Sequence, residues 1–221
     1  SQEGLTKQYG LGVGKNIYDS IRTENKADDM QNYIVATAAA AADVRMSGGT
    51  KAVMTICGSG NQGITATLPV IAAVLSLKAD EEMLYRSLAL SCLITIHVKQ
   101  FIGKLSPLCG CGMGSSIGVG CALTYLQGGG LSQIRSAINN MIADVSGIIC
   151  DGAKAGCALK IATVISSAYQ CSLLALRDLG AGELDGIVRA DVENSIRNLG
   201  ELGNRGMADT DRVILDMMVC R

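Results

Sequence analysis

The sequence has no tryptophan, one phenylalanine, two prolines and one histidine, and aromatic residues make up only 3% of it. A β-sandwich or barrel leans on aromatic and β-branched side chains, so this scarcity, together with abundant alanine, points away from both. Neither sign of charge is in excess: 19 Lys+Arg stand against 20 Asp+Glu, a formal net charge of −1. That balance gives no electrostatic footprint for nucleic acid and no polybasic face for a membrane. Polar low-complexity tracts are missing, which argues against disorder. The apolar runs within 64–78 and 81–101 fall short of the roughly 20 residues of a membrane span, and charged ADEE (79–82) parts them. No signal peptide is read in the polar opening SQEGLTKQY, so a reducing, cytoplasmic setting is the expectation.

What is present is glycine, cysteine and apolar bulk. Apolar residues reach 48% of 221, enough for one domain or a tight pair with a sizeable core. Glycine is 27 of 221, roughly 12% against a usual share of about 7%. Nine cysteines lie at 57, 92, 109, 111, 121, 150, 157, 171 and 220. Cys92 in SLALSCLITI and Cys171 in SSAYQCSLLAL sit in apolar runs and read as small buried hydrophobes, as does Cys121. Clustered cysteines in a reducing compartment suggest metal or redox chemistry.

Along the chain, alternating strand patterns are absent and eight or nine helical segments follow one another without an internal repeat. They are expected at Asn16–Ala27, Asp28–Met46, 64–78, 81–101, from the glycine-rich 105–121 loop to Gly128, Leu131–Cys150, Cys157–Leu179, Ile187–Leu199 and in a tail helix capped by Asp209 or Thr210. Pro69 either kinks or starts its helix. The helices at 64–78 and 81–101 are apolar almost all round and are expected to be central. The fold class is therefore all-α: a compact multi-helix domain over 1–221, with buried central helices and glycine-rich loops.

Three constellations carry candidate chemistry. Gly58-Ser59-Gly60-Asn61-Gln62-Gly63 is a GxGxxG between an apolar run and a helix, the setting of a dinucleotide fingerprint. No second strand follows to present an acidic residue, so an anion cradle or a plain tight turn fits better. GLGVGK (10–15) fails the phosphate-loop spacing, because Tyr9 stands where glycine is required. Second, Cys109-Gly110-Cys111 and Cys121 lie in one glycine-rich stretch, while Cys150 and Cys157 flank DGAKAG (151–156). Seven residues of unbroken helix would hold the last two thiols about 10 Å apart. Gly152 and Gly156 let the chain bend so that they converge, and an all-thiolate site suits an iron–sulfur cluster or zinc. Buried free cysteines beside packing glycines are the plainer alternative. Third, His97, the sole histidine, lies on an apolar helix, and Lys99, Lys104 and Ser106 lead from it toward the CGC segment.

Taken together, GSGNQGITATLPVIA (58–72), LSPLCGCGMGSSIGVGCAL (105–123), ICDGAKAGCALK (149–160) and NLGELGNRGMADTDRVILDMM (198–218) resemble the iron–sulfur L-serine dehydratase alpha-chain family. Its L-cysteine desulfidase-like branch is the nearer match. The resemblance implies an all-helical catalytic domain with an oxygen-sensitive [4Fe–4S] cluster and one open iron. It implies Cys150 and Cys157 as ligands and a third ligand in the CGC segment, Cys111 in preference to Cys109. Ser59, Asn61, Gln62 and Ser106 become the candidates for holding a small amino-acid substrate. The implied reaction removes the Cα proton and the β-hydroxyl or β-thiol, giving an aminoacrylate and then pyruvate and ammonia, with water or sulfide released. His97 and Lys99 are candidates for the base, with Lys154 and Asp151 behind them. Members of the family are longer on the N-terminal side, so a missing N-terminal domain or partner chain is expected to complete the enzyme, and a homo-oligomer is compatible with this reading. The competing readings are a non-catalytic cysteine-ligated metal or redox module and a dinucleotide-binding protein.

Overall fold

Capping side chains fix where four of the helices begin. A computed structural model describes residues 1–103 and 106–220. Its ten α-helices are α1 Gln2–Thr6, α2 Val13–Ser20, α3 Met30–Met46, α4 Gly60–Leu77, α5 Glu81–Ile102, α6 Ser116–Leu126, α7 Leu131–Val145, α8 Cys157–Ala175, α9 Val192–Glu201 and α10 Thr210–Val219. Single π-helical turns at Cys111–Ser115 and Leu202–Gly206 lead into α6 and follow α9. Among the described residues there is no strand, only two isolated bridges, Ile56 with Ser59 and Leu108 with Ile149. The all-α expectation holds.

Asp29 caps α3 by accepting from Asn32 N–H at 3.2 Å, and Asp80 caps α5 by accepting from Met83 N–H at 2.8 Å. Ser59 Oγ accepts from Gln62 N–H, so α4 starts four residues earlier than expected and takes GNQG into its first turn. Pro69 lies inside α4 rather than at its start. The segment expected as one helix over 16–27 is split: α2 ends at Ser20, and a 3₁₀ turn follows at Lys26–Asp28. α7, α8 and α9 are likewise shorter than or offset from their expected spans, because 146–156 and 176–191 form turns.

The core lies around α3, α4, α6 and α8. α3 is buried continuously from Ile34 to Val44, and α6 from Ser116 to Thr124. α5 departs from the expected central position. It turns Ser87, Ser91, Thr95, Val98, Lys99 and Ile102 inward, while Leu93 (65%) and Ile96 (42%) remain exposed. The reason lies in the inward face itself, where small polar residues seat α5 against α4 and α6: Ser91 Oγ donates to the Ala66 carbonyl at 2.7 Å. A Cβ at Gly118 would stand 2.3 Å from the Ser91 carbonyl oxygen, so that contact demands glycine. α4 and α8 are long and apolar enough to cross a membrane by length and composition, yet 67% of the α4 stretch is buried within the fold.

Candidate active site: thiols around a buried lysine

The first glycine of GSGNQG is accounted for by its backbone conformation and the other two by packing. Gly58 takes φ +81°, a left-handed conformation that L side chains resist. A Cβ at Gly60 would meet Arg45 Nε at 2.6 Å, and one at Gly63 would meet the Met54 carbonyl oxygen at 1.8 Å. The loop and the first turn of α4 are therefore pressed onto α3 and the 51–55 segment. With no strand among the described residues, the dinucleotide reading has no framework.

On its other side, this first turn of α4 meets the CGC segment. A Cβ at Gly110 would lie 2.8 Å from Gln62 Nε2, so the Gln62 amide sits directly over Cys109-Gly110-Cys111. Gln62 is buried and its Oε1 has no hydrogen-bond partner. The CGC segment is in turn tied to the stretch before α8. Cys109 N–H donates to the Ile148 carbonyl at 2.9 Å, and Cys150 N–H to the Pro107 carbonyl at 2.6 Å. Between these bonds Leu108 bridges Ile149.

Lys99 points into this region from the inward face of α5. Its side chain lies along Gly114, where a Cβ would come within 3.1 Å of Lys99 Cδ. Burial pushes the Lys99 ammonium below its ordinary value, while the nearby thiols of Cys57, Cys111, Cys109 and Cys150, when ionised, act against that. Cys109 and Cys111 share one hydrogen bond and divide its effect. Cys109, stabilised as thiolate by the Cys111 thiol and by the Gly112 and Cys111 N–H groups, is pushed down to about 6. Cys111, the donor and itself partly buried, is pushed well above the ordinary thiol value. Cys157 lies close enough to Cys111 to act on it electrostatically. The other cysteines differ. Burial pushes Cys121 up to about 12 and Cys171 up to about 11, the behaviour of inert core thiols. Cys92, expected to be buried, is only half-buried on α5.

The structure thus gathers Gln62, Lys99, Cys109, Cys111, Cys150 and Cys157 on one side of the bundle. The remaining candidates have other partners. His97 is two residues from Lys99, so it leaves α5 on roughly the opposite face. There its Nε2 lies 2.8 Å from Glu193 Oε2 of α9, and its ring meets Phe101 edge-on. Asn61 turns toward α3, accepting from Arg45 Nη1 at 3.0 Å. The Ser59 hydroxyl caps α4, and the Ser106 hydroxyl accepts from Leu108 N–H at 3.2 Å. Lys104 lies outside the described residues. Asp151 is held by Lys160 and, at 3.3 Å, by Lys154. The sequence reading gave no role to Cys57, which stands just before GSGNQG. Its φ of +50° is unusual for a residue other than glycine, and it is among the thiols acting on Lys99.

The donor set is of the kind that takes a thiophilic metal or cluster, with four or five sulfurs and a cation facing one region. Among the described residues, no group of three or more His, Cys, Asp or Glu side chains is drawn together at ligating distance.

An all-helical domain with cysteine-bearing loops meeting beside a buried lysine is the class that fold and site define. The chain matches the family model of the serine dehydratase alpha chain over residues 1–216 and belongs to that family. It is 45% identical to a UPF0597 protein of Oleidesulfovibrio alaskensis over 219 residues, which cover 99% of this chain and 51% of that protein. A UPF0597 protein of Clostridium perfringens is 47% identical, and one of Clostridioides difficile 44%, each again with 99% of this chain and 51% of the relative covered. The chain spans about half the length of the curated relatives it matches. No solved structure matches it.

Proposed function

We propose that the chain is the thiol-bearing part of a cytoplasmic β-eliminating lyase acting on L-serine or L-cysteine. The observation that carries this reading is the placement of Lys99, buried on α5 and facing Cys57, Cys109, Cys111 and Cys150 beside the Gln62 amide. Family membership supports the reaction class at the level of a serine dehydratase-like domain.

In this reading Cys111, Cys150 and Cys157 hold a [4Fe–4S] cluster, with Cys109 as the alternative to Cys111. When bound, such a group supplies a Lewis acid for the departing hydroxyl or thiol. The chain's own residues do the rest. Lys99, rather than His97, is the base that takes the Cα proton, because its amine faces the thiols while His97 is turned to Glu193. The orphaned Gln62 Oε1 is an acceptor available to a substrate ammonium once the loop adjusts. The substrate carboxylate is taken by the GSGNQG turn, where Ser59 and the first N–H groups of α4 lie.

The test is anaerobic reconstitution with iron and sulfide, metal and sulfide quantitation, and measurement of pyruvate released from serine and from cysteine. Cluster incorporation is expected in the chain alone, and turnover once the remainder of the relatives' length is restored. Lys99→Met should abolish turnover, and His97→Gln should leave most of it. No pyruvate from the restored, cluster-loaded protein would favour the metal or redox module instead.

A further inference from the structure

Lys160 lies one helical turn after Cys157 on α8, so the two project from the same side of that helix. Its ammonium reaches back across the DGAKAG turn and makes two contacts. Nζ donates to the Ile149 carbonyl oxygen at 2.9 Å and to Asp151 Oδ1. These are the residues immediately before and after Cys150. The same carboxylate is held from within the turn by Lys154 at 3.3 Å. Lys160 is only a quarter exposed (26%), so the contact is not a loose surface pair. Between the two cysteines the turn is held by the Cys157 N–H, which donates to the Lys154 carbonyl at 2.8 Å, and by the Cys157 thiol, 3.7 Å from the Gly152 carbonyl oxygen. Gly152 takes φ +92°, and nothing packs within 4 Å of where a Cβ would stand at Gly152 or Gly156. Neither of the two Cys157 contacts reaches residues 149–151. The Lys160 contacts do: they pin both neighbours of Cys150 to the helix that carries Cys157, while the Cys150 N–H is held by the Pro107 carbonyl.

We propose that Lys160 is a positioning residue: it clamps Ile149 and Asp151 onto α8 and thereby fixes the approach of Cys150 to Cys157. This rests on the reading of those cysteines as a joint thiol centre. A lysine suits the task because its ammonium carries several donors, one for a carbonyl and one for a carboxylate.

Two measurements on the purified, reduced protein test it. The first is anaerobic titration with Co(II), followed by thiolate-to-cobalt charge-transfer absorption. Lys160→Met should weaken cobalt binding about 10–100-fold, the usual cost of losing an outer partner of a metal ligand, and Lys160→Arg should recover much of it. The second is capture of Cys150 and Cys157 together by a trivalent monoarsenical, which needs two adjacent thiols and no metal centre. Capture should fall in Lys160→Met and, to a lesser degree, in Asp151→Asn. Unchanged cobalt affinity and unchanged capture in a folded Lys160→Met, judged by far-ultraviolet circular dichroism, would overturn the clamp. If Lys160→Met does not fold, Asp151→Asn with unchanged capture overturns it equally. Absence of a charge-transfer band in the unsubstituted protein would count against the thiol centre, and the arsenical result would still decide the clamp.

Discussion

α3 and α5 are both apolar for most of their length, yet α3 is enclosed and α5 is a wall of the bundle. α3 is built on alanine. Its small side chains let α1, α2, α4 and α8 all approach it, and Gly14 of α2 comes so close that a Cβ there would stand 2.1 Å from the Ala40 nitrogen. α5 carries larger residues, Leu93 and Ile96, and leaves them outside, while serine and threonine form its seat. The difference teaches that centrality in this fold follows from how near a helix lets its neighbours come. The hydropathy of its outer face counts for less.

The comparison can be broken by substitution. Truncating the α3 core residue in Ile34→Ala should cost about 2–5 kcal/mol in denaturant unfolding, the range for a large buried aliphatic. Gly14→Ala should cost about 1–3 kcal/mol by forcing α2 away from Ala40, although alanine is the better helix former.

α3 also carries the buried carboxylate of Asp43, which accepts from Gly14 N–H at 3.0 Å. Burial pushes its pKa above the ordinary 3.8, against the backbone N–H groups of residues 11–14. A carboxyl raised in the folded state gives stability that is full below pH 3.8 and lost as pH rises through the higher folded value. Across that window the protein should therefore lose stability relative to Asp43→Asn. Unfolding midpoints of the two proteins, measured from acid to neutral pH, show the sign directly. The smallest effect belongs to α5: Leu93→Ala should stay within about 0.5 kcal/mol, as for an exposed side chain. A loss in Leu93→Ala equal to that in Ile34→Ala would mean that α5 is covered in solution and that the contrast with α3 is false.

Much of this was legible in the residues. The starts of α3 and α5 follow from Asp29 and Asp80, whose short side chains reach N–H groups three residues on, whereas the Ser59 cap that begins α4 four residues before the expected 64 was not read. The break in helix between Cys150 and Cys157 was legible too, because DGAKAG carries two glycines there. What was not legible depends on partners far away in the chain. His97 meets Glu193 across 96 residues, and Asn61 meets Arg45 on another helix. Nothing local marks either contact. The exposure of Leu93 escaped because a periodic pattern reports which residues are apolar and not how many neighbours arrive to cover them. Cys57 was overlooked because one thiol before a glycine turn has no spacing to mark it. Its backbone conformation and its nearness to Lys99 exist only in the folded chain.

The bridge between Leu108 and Ile149 closes a loop of 41 residues, a separation that would be entropically costly for an unstructured chain. Here the intervening segment is a helical hairpin, α6 and α7, joined by only four residues, Gln127–Gly130. Once those helices pack, their open ends already lie side by side, and joining Leu108 to Ile149 asks for little further ordering. The cysteines at the mouth of the hairpin thus acquire their neighbourhood at little entropic cost, because the packed helices already bring distant chain together.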